Sequence, residues 1–243
     1  MRTRLVCLAL GAFGLGWAGW SASAQTVQAA TVVVKGTVVL ARASGDNADV
    51  AISLKPLPGT PGTDAGASAP RTRPRILQQN KRFSPHMLVV PAGTVVDFPN
   101  ADPFFHNAFS LFEGKRFDLG LYEGGTSRSV TFSTPGICYI FCNIHPEMSA
   151  VVVVVDTPYS AVSNRAGEFT IRDVPPGRYV LSAWHERNKA ESPREVNISG
   201  ATVDLGPVRL VASDDVIAPH LNKYGNEYLP VPALPGTGYI IVK

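Results

Sequence analysis

Helical periodicity is almost absent from this 243-residue sequence. Almost no segment sets apolar residues on one helical face, which argues against folds built on amphipathic helices. Cysteine is scarce: there are three, and Cys7 lies in the apolar N-terminal run. An exported chain of this size with only Cys138 and Cys142 left to pair is not a disulfide scaffold. Charge of one sign is missing too. With Arg2 and Arg4 set aside, 20 of the 22 Lys+Arg face 19 Asp+Glu, which gives no reason to invoke nucleic acid or an anionic membrane. There is no nucleophile elbow, no phosphate-cradling glycine loop and no zinc helix motif.

The N-terminal apolar run spans Leu5 to Trp20, 16 residues broken by glycines, against roughly 20 for a bilayer span. Arg2 and Arg4 precede it, and "SASAQ" follows with Ala22 and Ala24 in the small-x-small pattern of signal peptidase sites. Residues 1–24 are therefore expected to be a cleaved secretory signal, with the mature protein periplasmic or secreted and without stable membrane insertion.

What the sequence does contain is a series of short, β-branched runs. "TVVVKGTVVL", "VAISL", "HMLVV", "TVVDF", "SVTF", "ICYIFC", "SAVVVVV", "EFTI", "RYVLSAW" and "VRLV" are separated by Gly, Pro, Asn and Asp clusters. This predicts an all-β protein of sandwich or Greek-key type. Val151 to Val155 is a continuous apolar run rather than an alternation, which predicts a strand covered on both faces. Residues 57–74 are rich in Pro, Gly, Ala and Thr and read as a linker. Residues 213–243 read as an irregular tail. Two folding units follow, one over 75–157 and one over 158–212, with residues 25–56 as N-terminal strands.

The chemistry concentrates in "YIFCNIHPEM", where Cys142, His145 and Met148 stand three apart. Cys138 and Cys142, four apart on an extended strand, have Cα atoms about 13 Å apart at roughly 3.3 Å per residue, too far for a disulfide. A thiol that persists in an oxidising compartment points to a metal. A further imidazole is available at His106, in "FPNADPFFHNAFS". Thiolate and thioether favour Cu(I) and imidazoles tolerate Cu(II), so two imidazoles, a thiolate and a weak thioether suit a copper ion that changes oxidation state.

With these residues in view, 75–157 resembles a cupredoxin. "FSPHMLVVPAGTVVDFPNADPFFHN" is similar to the family's N-terminal half, and "TPGICYIFCNIHPEM" to its C-terminal half with the short, amicyanin-like ligand loop. The resemblance implies a Greek-key sandwich holding one type 1 copper ion per chain. His106 and His145 would be its imidazole ligands, Cys142 the thiolate and Met148 the axial thioether. Asn107 would be the asparagine that ties the two ligand loops together. It also implies that electrons leave through His145, with a redox partner protein docking over it. Cys138 resembles the first cysteine of binuclear copper centres. The loop is one residue short for that, however, and the glycine-to-cysteine interval matches single-copper relatives at Cys142. Cys138 is expected to be a core residue.

"AGEFTIRDVPPGRYVLSAWHE" resembles a hairpin of carboxypeptidase-regulatory-like, transthyretin-like sandwiches, which are binding modules without catalytic apparatus. The opening strands of such a module are found much earlier, at Val32 to Pro56, which predicts that the cupredoxin is inserted into this second sandwich. His86 is expected to be solvated, and Trp184-His185-Glu186 structural.

The leading expectation is an exported type 1 copper protein that carries single electrons and is not an enzyme. The alternatives are a periplasmic copper chaperone or sensor, and a non-catalytic binding or structural protein.

Overall fold

A computed structural model describes residues 31–41, 47–60, 72–111, 115–187, 193–211, 213 and 220–228. The expected signal, residues 1–24, and the apolar C-terminal run "GYIIVK" lie outside the described residues. The described chain is all-β, and no helix in it is long and apolar enough to cross a membrane.

The chain opens with β1 (Val32–Ala41) and β2 (Ala51–Pro56). It continues through β3 (Leu77–Gln79), β4 (Arg82–Ser84), β5 (Met87–Pro91), β6 (Thr94–Pro99), β7 (Phe109–Ser110), β8 (Phe117–Asp118), β9 (Ser127–Phe132), β10 (Gly136–Phe141) and β11 (Ser149–Val155). It closes with β12 (Ser160–Val162), β13 (Glu168–Val174), β14 (Gly177–Trp184), β15 (Arg194–Ile198) and β16 (Thr202–Val211).

Two sandwiches result. The first sets the sheet β5-β11-β10-β7-β8 over the ladders β6-β9 and β3-β4. Its core contains Phe98, Phe132, Ile140, Val152 and Val154. The second sets β13-β1-β16 over β12-β2-β14-β15 around Val34, Val38, Ile52, Leu54, Ile171, Tyr179 and Leu181. Alternation builds it: along β1 the buried side chains fall at every second position, as the two-residue pleat requires. Among the described strands, β1 and β2 take their ladder partners from β12, β13, β14 and β16 and none from β3 to β11. The chain therefore leaves this sandwich after β2, builds the other one, and returns at β12.

The valine run of β11 explains how the two sandwiches meet. β11 is central, parallel to β5 and antiparallel to β10. Ala150, Val152 and Val154 face the first core, while Val151 and Val153 join Met87 and Ala51 in a separate buried cluster against Trp184. Both faces are dry, so the sequence does not alternate. Each valine sealed at this junction is worth about 1.5–3 kcal/mol relative to exposure.

Two expected segments differ in part from their sequence reading. The linker begins bound: Leu57 N–H donates to the Arg178 carbonyl at 2.9 Å, and Thr60 is buried with its hydroxyl on the same carbonyl at 2.8 Å. Residues 61–71 lie outside the described residues. Residues 220–228 of the tail fold onto the loop between β10 and β11 of the first sandwich.

Candidate metal centre

β10 ends at Phe141 and β11 begins at Ser149, so the loop between them has little freedom. Cys142 N–H donates to the Met148 carbonyl at 3.3 Å, and Met148 N–H donates to the His145 carbonyl at 3.2 Å. This tight turn sets Cys142 beside His145 and buries Met148 in the same core cluster as Cys142. His106 comes from the β6–β7 connection. A two-way backbone bridge to Tyr122, at 3.1 and 2.9 Å, fixes it there. Tyr122 is held in turn by its hydroxyl, which donates to the Phe98 carbonyl at 3.0 Å.

The three ligand-type atoms converge. His106 Nδ1 lies 3.0 Å from His145 Nδ1, and Cys142 Sγ lies 3.9 and 3.6 Å from those two nitrogens. A metal held by imidazoles at about 2.0 Å and a thiolate at about 2.3 Å in a trigonal plane needs nitrogens about 3.5 Å apart and N···S separations of about 3.7 Å. The two N···S separations meet that requirement and the nitrogens stand somewhat closer together than it asks, so the three side chains could hold a metal ion between them. His106, Cys142 and Met148 are fully buried, and His145 is 8% exposed, which makes it the edge of the cluster. Phe104 packs edge-on against both imidazoles, with centroids at 5.1 and 5.9 Å.

Electrostatics follow from burial. Desolvation pushes the Cys142 thiol up, against backbone N–H groups of Ile144, Asn107 and His145 directed at the sulfur. Those donors would stabilise the thiolate once a cation displaces the proton. Burial, reinforced by the neighbouring His106, lowers His145 to about 4, so its imidazole is neutral and ligand-competent well into the acid range.

Asn107 spans the two ligand segments. Its carbonyl oxygen accepts from Asn143 N–H at 3.3 Å, while its amide donates to Asp118 at 2.7 Å and to the Gly120 carbonyl at 2.9 Å. Cys138 lies outside the ligand cluster, in the core of the first sandwich, with Sγ 3.2 Å from Ser110 Oγ. Both cysteines are free thiols.

Sequence reasoning missed Asp102. Its Oδ2 accepts from His106 Nε2 at 2.8 Å, and the carboxylate also accepts from the Asn80 and Lys81 N–H groups at 2.7 and 3.0 Å. Burial raises this carboxyl, but the donors outweigh it and hold it below its ordinary value. The one available signal was its position four residues before His106. His86 also departs from its expected solvation. It is only partly exposed, 3.2 Å from Glu186 Oε2 and 3.2 Å from the Ser149 carbonyl, because β14 of the other sandwich delivers Glu186 to it. His185, beside that glutamate, is buried and accepts from Arg187 N–H at 3.2 Å.

No protein-family model matches the chain, and no curated protein matches it. Among solved structures it is similar to a purple cupredoxin from Nitrosopumilus maritimus, at 26% identity over 34% of this chain and 99% of that one, with a TM-score of 0.31. It is similar to amicyanin from Paracoccus versutus at 22% identity over 37% of this chain and 87% of that one, with a TM-score of 0.33. A copper-containing nitrite reductase from Thermus scotoductus matches at 23% identity over 41% of this chain and 27% of that one, with a TM-score of 0.34.

Proposed function

We propose that this chain is an exported copper protein that carries single electrons between redox partners. The observation that carries the reading is the convergence of two imidazole Nδ1 atoms and one thiol within 4.8 Å of each other in a buried site. The donor set selects the metal. Two imidazoles and a thiolate would suit zinc, but a buried methionine closing the same loop adds a soft thioether that favours copper. His106, Cys142 and His145 would hold one copper ion of the type 1 class, and the Met148 thioether would be its further, weak ligand. Bound copper would supply reversible one-electron chemistry.

The chain's own residues do the rest. The Asp102 carboxylate holds His106 with Nδ1 inward, and the Asn107 bridge keeps the two ligand segments in register. Burial excludes water, and a filled ligand set leaves no open position for a substrate, so this reading is not that of an enzyme. His145 is the least buried ligand. The exposed apolar side chains of Phe105 and Ile144 neighbour the two histidines in sequence, and exposed Leu121 adjoins the Tyr122 that pairs with His106. A redox partner protein would dock on that rim. The leader-like pattern at Arg2 to Ala24 supports a location in the periplasm or outside the cell.

The test is to load the purified protein with Cu(II) and record visible and electron-spin-resonance spectra. An intense thiolate-to-copper band with narrow hyperfine splitting supports the reading. A colourless protein that takes up only Cu(I) overturns it in favour of copper carriage, and a seven-line mixed-valence pattern overturns the single-ion assignment.

A further inference from the structure

Residues 220–228, read from sequence as irregular tail, contact the ligand loop at several independent points. The Tyr228 hydroxyl donates to the Cys142 carbonyl at 2.6 Å. His220 stacks on Phe141, the residue before Cys142, with centroids 3.9 Å apart and planes at 21°. Lys223 N–H donates to Asn143 Oδ1 at 3.0 Å, and Lys223 Nζ lies 2.7 Å from Asp118 Oδ2.

These contacts close a ring. Asn107 donates to Asp118, Asp118 pairs with Lys223, Lys223 donates to Asn143, and Asn143 N–H returns to Asn107. The bridge between the two ligand segments is thus completed by a residue from beyond the second sandwich. The segment has its own order as well. Asn222 Oδ1 accepts from the Tyr224 and Asn226 N–H groups at 2.9 and 3.1 Å, and Gly225 takes the left-handed conformation this turn requires, with φ 78. His220 Nδ1 faces two oxygens, the Tyr228 hydroxyl and the Leu221 carbonyl, each at 3.2 Å. Its proton therefore sits on Nδ1, and the phenolic hydrogen is free for Cys142.

We infer that residues 220–228 are a strap that locks the thiolate arm of the metal centre, with Tyr228 and Lys223 as positioning residues. The peptide groups on both sides of Cys142 are pinned, one by Met148 within the loop and the other by Tyr228 of the strap. A thiolate arm held this way opens rarely, which slows loss of a bound ion and limits access to the sulfur. The inference rests on Cys142 being a ligand, but its test does not require metal.

The experiment alkylates the metal-free, full-length protein with iodoacetamide and follows each cysteine by peptide mass. Cys138 is the internal control, buried in the same core but away from the strap contacts. Labelling a buried thiol samples local opening. Loss of one hydrogen bond by Tyr228→Phe, or of the ion pair by Lys223→Ala, should therefore speed Cys142 labelling about two- to tenfold, with Cys138 unchanged. Lys223→Arg should restore protection. An unchanged Cys142 rate overturns the strap, and so does acceleration of both cysteines together, which would mark general loosening. A protein that never turns blue but shows the selective Cys142 effect keeps the strap and defeats the copper assignment alone.

Discussion

Asp102 and His106 form a buried carboxylate–imidazole pair, Oδ2 to Nε2 at 2.8 Å. Because Nε2–H donates to the carboxylate, the ring's other nitrogen carries its lone pair toward Cys142 and His145. This selects the tautomer and fixes the orientation of the ring. The carboxylate is itself anchored by two backbone N–H groups, so the ring's orientation is inherited from the β3–β4 turn.

Asp102→Ala should weaken copper affinity about 10- to 100-fold, measured by competition with a chelator of known affinity. Asp102→Asn, which retains an acceptor but not the charge, should fall between the two. Wild-type affinity in both variants would remove Asp102 from the centre.

Cys142→Ser should abolish the thiolate-to-copper band, whereas Cys138→Ala should leave its intensity largely intact. The structural basis is position: Cys142 faces both Nδ1 atoms, while Cys138 points at Ser110 and the Lys115 carbonyl. Loss of the band in both variants would return Cys138 to the site.

In the metal-free protein His145 titrates near 4, against about 6.5 in an unfolded chain. Between those values the unfolded state binds the extra proton. The stability tied to this group is thus complete above about pH 6.5 and is lost as pH falls toward 4. The urea midpoint of the metal-free protein should drop over that window, and His145→Asn should show a smaller drop. Copper should suppress the loss until protons compete for the ligand. An identical pH profile in His145→Asn would show that the group does not titrate this way.

The two sandwiches are pinned by His86 and Glu186. The hydrogen bond to Glu186 is the largest influence on His86 and raises it above its ordinary value, while the same bond lowers Glu186. His86 contributes fully below about pH 6.5 and less as pH rises through its elevated value; Glu186 contributes fully above its ordinary range and less on acidification. With side chains 34% and 18% exposed, the pair should couple by about 0.5–1 kcal/mol in a double-mutant cycle near pH 6. That coupling should vanish near pH 9. A pH-independent value would point to packing rather than charge.

The ligand loop was legible in the sequence because its spacing is local. Cys142, His145 and Met148 sit within one turn between two strands, and strand and turn signals depend on near neighbours. The valine run of β11 was legible for a similar reason, since an unbroken apolar strand has to be covered on both faces. The structure then brings His106 to Cys142 and His145 through the Tyr122 bridge, a pairing no local pattern specifies. His86 was misread because its partner lies 100 residues away on another sheet.

Residue chemistry and period alone thus determined an all-β chain and a loop carrying thiol, imidazole and thioether. Tertiary structure alone decided that Asp102 orients His106 and that residues 220–228 return to Cys142. The physical reason is range. Propensity and alternation act over a few residues, whereas a hydrogen bond between distant segments exists only once the sheets that carry them have packed.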